Sequence, residues 1–155
     1  MAHADDYAPA LGHVVINVRN VDASLRFYCE TLGLRLRRRS RISGVSMAFL
    51  TFGDKDHDLA LRERGPGAPE YDRGGIGLAH IAFRIGDRLE QLRAFKHKLD
   101  ARHVEINRMT EHRNTNSIYV RDPDGIEIEI YVDSSPSVWA GKMETELSNP
   151  PLRLD

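Results

Sequence analysis

Leu11-Gly12-His13-Val14-Val15-Ile16-Asn17-Val18 and Leu78-Ala79-His80-Ile81-Ala82-Phe83-Arg84-Ile85 are the two stretches on which the fold turns. Slid by 67 positions, the first falls on the second, histidine on histidine. Each histidine opens a strand-like run, and the match continues downstream, where Leu25 falls on Leu92 and Leu32 on Leu99. Side chains change face at every residue of a strand. Val14, Ile16 and Val18 therefore share a face opposite His13, Val15 and Asn17. In the repeat, Ile81, Phe83 and Ile85 stand opposite His80, Ala82 and Arg84. A third polar group, Glu129, lies in a run that follows the turn Asp122-Pro123-Asp124-Gly125. There Ile126, Ile128 and Ile130 oppose Glu127, Glu129 and Tyr131. In all three runs the more apolar face is expected to cover a helix, leaving the His or Glu face to line a cleft. Two histidines and one carboxylate can form a facial triad that leaves coordination positions open. A metalloenzyme is the leading expectation.

Working outward, Asp22 is expected to cap a helix running to about Leu32, with Leu25, Tyr28, Cys29 and Leu32 on one face. Gly33 ends it. Strands follow near 34–42, 45–52 and 57–61, and the stretch 64–75 is a loop by its Gly and Pro content. The second unit repeats the order. A strand at 80–85 leads to Asp87, and Glu90 three residues on has capping-box spacing. Leu89, Leu92, Phe95 and Leu99 mark the buried helix face, and strands follow near 104–109, 117–121 and 126–132. The order βαβββ twice implies an α+β fold. Neither unit of roughly 60 residues buries its sheet face alone. The two modules are expected to pair into a curled mixed sheet around a metal-containing cleft. Residues 1–10 read as an arm and 11–133 as one domain, with modules at about 11–64 and 78–133. The tail 134–155 looks irregular, with Val138, Trp139 and Leu147 apolar enough to pack.

At 155 residues the chain is long enough for a real core. A net charge of -1 gives no reason to expect nucleic acid or an anionic membrane as partner. The basic run at 35–41 reads as a strand edge blunted by charge. Cys29 is the only cysteine, so no intrachain disulfide is possible. No stretch resembles a signal peptide and no run approaches membrane-spanning length, so a cytoplasmic location is expected.

The segments LGHVVINV, FYCETLGL, GLAHIAF and SIYVRDPDGIEIEIY resemble the vicinal oxygen chelate superfamily, which includes glyoxalase I, bleomycin-resistance proteins and type I extradiol dioxygenases. The resemblance covers about 11–132. It implies that His13, His80 and Glu129 are metal ligands. Glu127 shares the face of Glu129 and is the weaker candidate. Three further matches resemble the extradiol branch. The segment DHDLAL puts His57 where those enzymes carry an acid/base beside bound oxygen. Tyr119, ten residues before Glu129, matches a tyrosine that contacts a catechol hydroxyl, and His112 matches a pocket histidine. The implied activity is Fe(II)-dependent cleavage of a catechol-type ring by O2, with Mn, Zn or Ni as alternative metals. The implied partners are a small aromatic diol, O2 and further copies of the chain, as a homodimer or higher homo-oligomer.

Each role suits its residue. Histidine, with a reference pKa of roughly 6.5, can give or take a proton near neutrality. A tyrosine hydroxyl both donates and accepts, so it can orient a ring hydroxyl. Two other classes stay open. Glyoxalase-like lyases and epimerases usually present four protein ligands, one of them a carboxylate or Gln at the end of the first unit, and Asp58 lies next to that place. Drug-sequestering members bind small molecules without metal. His3, His97 and His103 fall outside the repeat and read as ordinary structural histidines.

Overall fold

Both histidine-led runs are strands, β1 (Val14–Val18) and β5 (His80–Gly86). These coordinates are a computed structural model that describes residues 10–112, 114–134 and 150–154. Val138, Trp139 and Leu147, expected to pack, lie outside the described residues.

The chain forms two units, Met1–Ala68 and Pro69–Asp155. In the first, β1 is followed by α1 (Val21–Leu25), a π-type continuation at Arg26–Thr31, β2 (Arg35–Ile42), β3 (Val45–Thr51) and β4 (Leu59–Glu63). In the second, β5 is followed by α2 (Leu89–Ala101), β6 (Ile106–Glu111), β7 (Thr115–Arg121) and β8 (Glu127–Asp133). Each unit holds one four-stranded mixed sheet, ordered β1-β4-β3-β2 and β5-β8-β7-β6. In both, the first strand runs parallel to the last, and the remaining neighbours are antiparallel. The expected βαβββ order and α+β class hold in each unit.

Burial follows the alternation. Ile16 and Val18 are buried, whereas Val15 and Asn17 are exposed. In β5 the apolar residues are half-buried, while His80, Ala82 and Arg84 are exposed. Each helix packs on its own sheet, α1 on β3 and β4, and α2 on β5, β7 and β8. Leu92 and Leu99 are the fully buried residues of α2. Removing one such side chain from water contributes about 2 kcal/mol.

The helix starts differ from expectation. Asn20, not Asp22, caps α1, its Oδ1 accepting from Ala23 N at 2.8 Å. Asp22 lies inside the first turn and pairs with Arg39 at 2.8 Å. The π-type widening brings Phe27, Tyr28 and Thr31 to the buried side and leaves Leu25, Cys29 and Leu32 half-buried. At α2 the side-chain cap comes from Gln91, not Glu90, because its Oε1 accepts from Arg88 N at 2.9 Å and Asp87 N at 3.1 Å.

Register makes the two sheets comparable residue by residue. One cross-strand row in the first unit is Arg38, Phe49, Ala60 and Val15. Its counterpart is Arg108, Tyr119, Glu129 and Ala82. A bulge precedes the arginine in both. Ala60 therefore holds the place in the first unit that Glu129 holds in the second.

The segment at 150–154 extends the second sheet. Glu111 N donates to the Pro150 carbonyl at 2.9 Å and Leu152 N to that of Met109 at 3.2 Å, with a bridge between Thr110 and Pro151. Leu152 and Leu154 are buried. Replacing both with alanine is expected to lower unfolding free energy by about 4–10 kcal/mol, since buried Leu→Ala changes cost roughly 2–5 kcal/mol each. A urea transition with a lower midpoint and unchanged slope would show it; an unshifted midpoint would mean that these leucines carry no packing energy.

Candidate functional site

The second unit brings four of the expected residues together on one sheet face. Strand β8 carries Glu129 with its carboxylate buried, and β5 carries His80 beside it. His80 Nε2 lies 3.1 Å from Glu129 Oε2. Two ligands about 2.1 Å from one ion, at right angles, would stand about 3 Å apart. The pair thus has the donor chemistry and the spacing of two adjacent corners of a coordination sphere. Ser117 Oγ donates to the other carboxylate oxygen at 2.6 Å. Such a partner fixes the orientation of a ligand carboxylate.

Tyr119 is the register neighbour of Glu129 on β7. Its hydroxyl is 2.9 Å from His112 Nε2, and its ring meets that of His80 edge-on at 6.1 Å. Burial pushes the Tyr119 hydroxyl above its ordinary range and the negative Glu129 adds to this, while Arg108 pulls the other way. The Arg108 guanidinium lies 3.6 Å from the centre of the Tyr119 ring. Glu127 grips that guanidinium with both oxygens at 3.0 Å. Glu127 is thus engaged by Arg108, which leaves Glu129 as the acid beside His80.

The first unit holds His13 and His57. Their rings are 4.4 Å apart at 44°. Phe49 meets His57 edge-on at 5.0 Å. His57 Nδ1 lies 2.6 Å from Asp56 Oδ2, and the other Asp56 oxygen accepts from Arg38 at 2.7 Å. The bond to His57 holds the Asp56 carboxyl below its ordinary range, and Arg38 adds to this against a desolvation effect. Asp58 is occupied otherwise. Its Oδ2 accepts from Thr51 Oγ1 at 2.7 Å and Phe52 N at 3.2 Å, so its carboxylate braces the turn after β3.

The expected triad thus draws His13 from one unit and the pair His80–Glu129 from the other. Among the described residues no three His, Cys, Asp or Glu side chains gather as a metal-holding group. Sequence reading missed Ser117, Asp56, Arg38 and Arg108. Ser117 had a signal, since it shares a strand face with Tyr119 two residues on. Cys29 is half-buried, and burial raises its thiol pKa, which makes it a poor nucleophile. Among the described residues no helix is long and apolar enough to cross a membrane.

Two sheets of identical strand order, each carrying a histidine at the start of its first strand, define a class. The chain belongs to the Glyoxalase/Bleomycin resistance protein/Dioxygenase superfamily, whose profile matches residues 10–130. The fold is shared with a glyoxylase/bleomycin resistance protein/dioxygenase domain from Frankia sp. EAN1pec, at TM-score 0.71 and 24% identity over 82% of this chain and 99% of that one. Among individual relatives, biphenyl-2,3-diol 1,2-dioxygenase 3 of Rhodococcus globerulus is 31% identical over 81% of this chain. The chain spans 64% of that dioxygenase's length. Lactoylglutathione lyase of Neisseria meningitidis is also 31% identical, over 76% of this chain and 86% of its own. Identity alone does not separate the two activities.

Proposed function

We propose that the protein is a Fe(II)-dependent extradiol dioxygenase that opens a catechol-type ring with O2. The observation that carries this reading is Ala60. A four-ligand lyase site would want an oxygen donor in the first unit at the counterpart of Glu129, and that position is a fully buried alanine. Asp58 does not replace it, because its carboxylate is tied to Thr51 and Phe52. Three protein ligands, His13, His80 and Glu129, remain, and such a set leaves adjacent positions open for a chelating diol and a gas.

Ferrous iron, when bound, would supply the site at which diol and O2 are brought together. The chain's own residues supply the rest. Ser117 fixes the Glu129 carboxylate by its hydrogen bond to Oε1. The Tyr119 hydroxyl, shared with His112, can receive or give a hydrogen bond at a ring hydroxyl and so set which way the diol lies. A tyrosine hydroxyl is protonated at neutral pH with its ordinary pKa, and burial here pushes that pKa further up, so it arrives as a donor. His57 can take a proton from the diol at Nε2 and return it later, since its Nδ1 is already committed to Asp56.

Anaerobic loading with Fe(II), followed by catechol and its 3- or 4-substituted forms and then air, tests the reading. A yellow product with about one O2 consumed per ring is expected, as one metal centre orienting both reactants implies. No oxygen uptake across the panel, with turnover of a lyase substrate on zinc or nickel, would overturn it.

A further inference from the structure

Around His57 the first unit builds more than a histidine against a neighbouring ring. His57 is well packed, with its side chain 15% exposed, while the Asp56 side chain at 2.6 Å is 60% exposed. A carboxylate so wet would ordinarily swing through several rotamers and hold nothing. Here Arg38 takes its second oxygen at 2.7 Å. That guanidinium in turn lies over the Phe49 ring, 4.3 Å from its centre. Phe49 is buried and closes the circle by packing its ring edge-on against His57. Among the described residues, Asp56 alone hydrogen-bonds to the His57 ring, and it does so at Nδ1.

The second unit repeats the device at the same register. Arg108 lies over Tyr119 and is gripped by Glu127, as Arg38 lies over Phe49 and is gripped by Asp56. The difference is what the acid does next. Asp56 has a second partner in an imidazole nitrogen, whereas both Glu127 oxygens are spent on the arginine.

We propose that Asp56, anchored by Arg38, is a positioning residue for His57: it pins the ring as the Nδ1–H tautomer and leaves Nε2 as the nitrogen that exchanges a proton with the substrate. A neutral imidazole has one donor and one acceptor nitrogen, and the partner of one decides the role of the other. A free ring would divide between the two tautomers and between two flipped orientations, so only part of the enzyme would be ready at any moment. The role in turnover rests on the ring-cleavage reading above; the tautomer does not.

The test has two readouts. Long-range 15N–1H NMR of the metal-free protein, at a pH where the ring is neutral, reads the His57 tautomer directly. The wild type is expected in the Nδ1–H form, with Asp56→Ala and Asp56→Asn moving the ring to a mixture or to Nε2–H, and Asp56→Glu retaining part of the native signal. In the iron-loaded enzyme, Asp56→Ala is expected to lower kcat about 10–100-fold, the size typical of a partner that orients a working group. KM for the diol and iron content should stay near wild type, and Asp56→Glu should recover part of the loss. Arg38→Gln, which frees Asp56 without removing it, should move both readouts the same way by less. A wild-type ring in the Nε2–H form, an unchanged tautomer in Asp56→Ala, or an unchanged kcat beside a changed tautomer would overturn the proposal. If no diol is turned over by the wild type, the ring-cleavage reading fails, and with it the role in turnover, while the NMR result still decides whether Asp56 orients His57.

Discussion

Replacing His57 with phenylalanine is expected to lower kcat by about 10²–10⁴-fold, the range that a positioned general acid or base contributes. Phenylalanine is the fitting probe because it keeps a flat ring. The contacts of that ring with His13 at 4.4 Å and Phe49 at 5.0 Å can persist. What goes is Nε2, the nitrogen proposed to exchange a proton, and the bond from Nδ1 to Asp56. Iron content should be unchanged, since His57 is not among the three proposed ligands. The check is steady-state turnover of the Fe(II)-loaded variant beside metal analysis of the same sample. Loss of iron together with turnover would make His57 a ligand or a support for one, and would remove it from the acid/base role.

Replacing Glu129 with glutamine should strip the metal, weakening Fe(II) binding by about 10²-fold or more, since loss of a mere supporting partner already costs roughly 10–100-fold. The amide keeps the length and shape of the carboxylate, so β8 should still form and Ser117 can still donate to the side-chain oxygen. What is lost is the only anion of the proposed set. Anaerobic titration with Fe(II), beside a melting curve of the metal-free protein, separates the two effects. Ser117→Ala should fall between the variant and the wild type, because Glu129 keeps its charge but loses the 2.6 Å bond that orients it. An iron-loaded Glu129→Gln protein with wild-type affinity would exclude the carboxylate as a ligand.

The repeat at His13 and His80 made most of the fold legible, because strand alternation needs only sequence to sort one face from the other. The same alternation put His80 and Glu129 on the less apolar faces of their strands, and the family resemblance added Tyr119, which the register sets beside Glu129. Register was not legible. Nothing in the run after His57 says that Ala60, rather than Asp58, matches Glu129; that follows only from which residues pair across β1, β3 and β4. Helix starts were misread for a local reason. Asn20 and Asp22 are both good caps, and the choice fell to the one whose side chain reaches the Ala23 amide. Asp56 was invisible because it lies in a turn, where no periodicity tells which way a side chain points. Leu152 and Leu154 were not singled out in a tail read as irregular, because the pairing of 150–154 with the edge of β6 depends on contacts across many residues of sequence.

Strand order also shows which pairing the candidate metal pair depends on. The β2–β3 and β6–β7 hairpins join neighbours in the chain, whereas β1–β4 and β5–β8 join the two ends of each unit. Pairings between distant segments pay the larger loop-closure cost and form late. His80 and Glu129 meet only when β5 and β8 close. An ion held there would therefore stabilise the second unit at the seam between its two ends, the pairing with the largest loop to close.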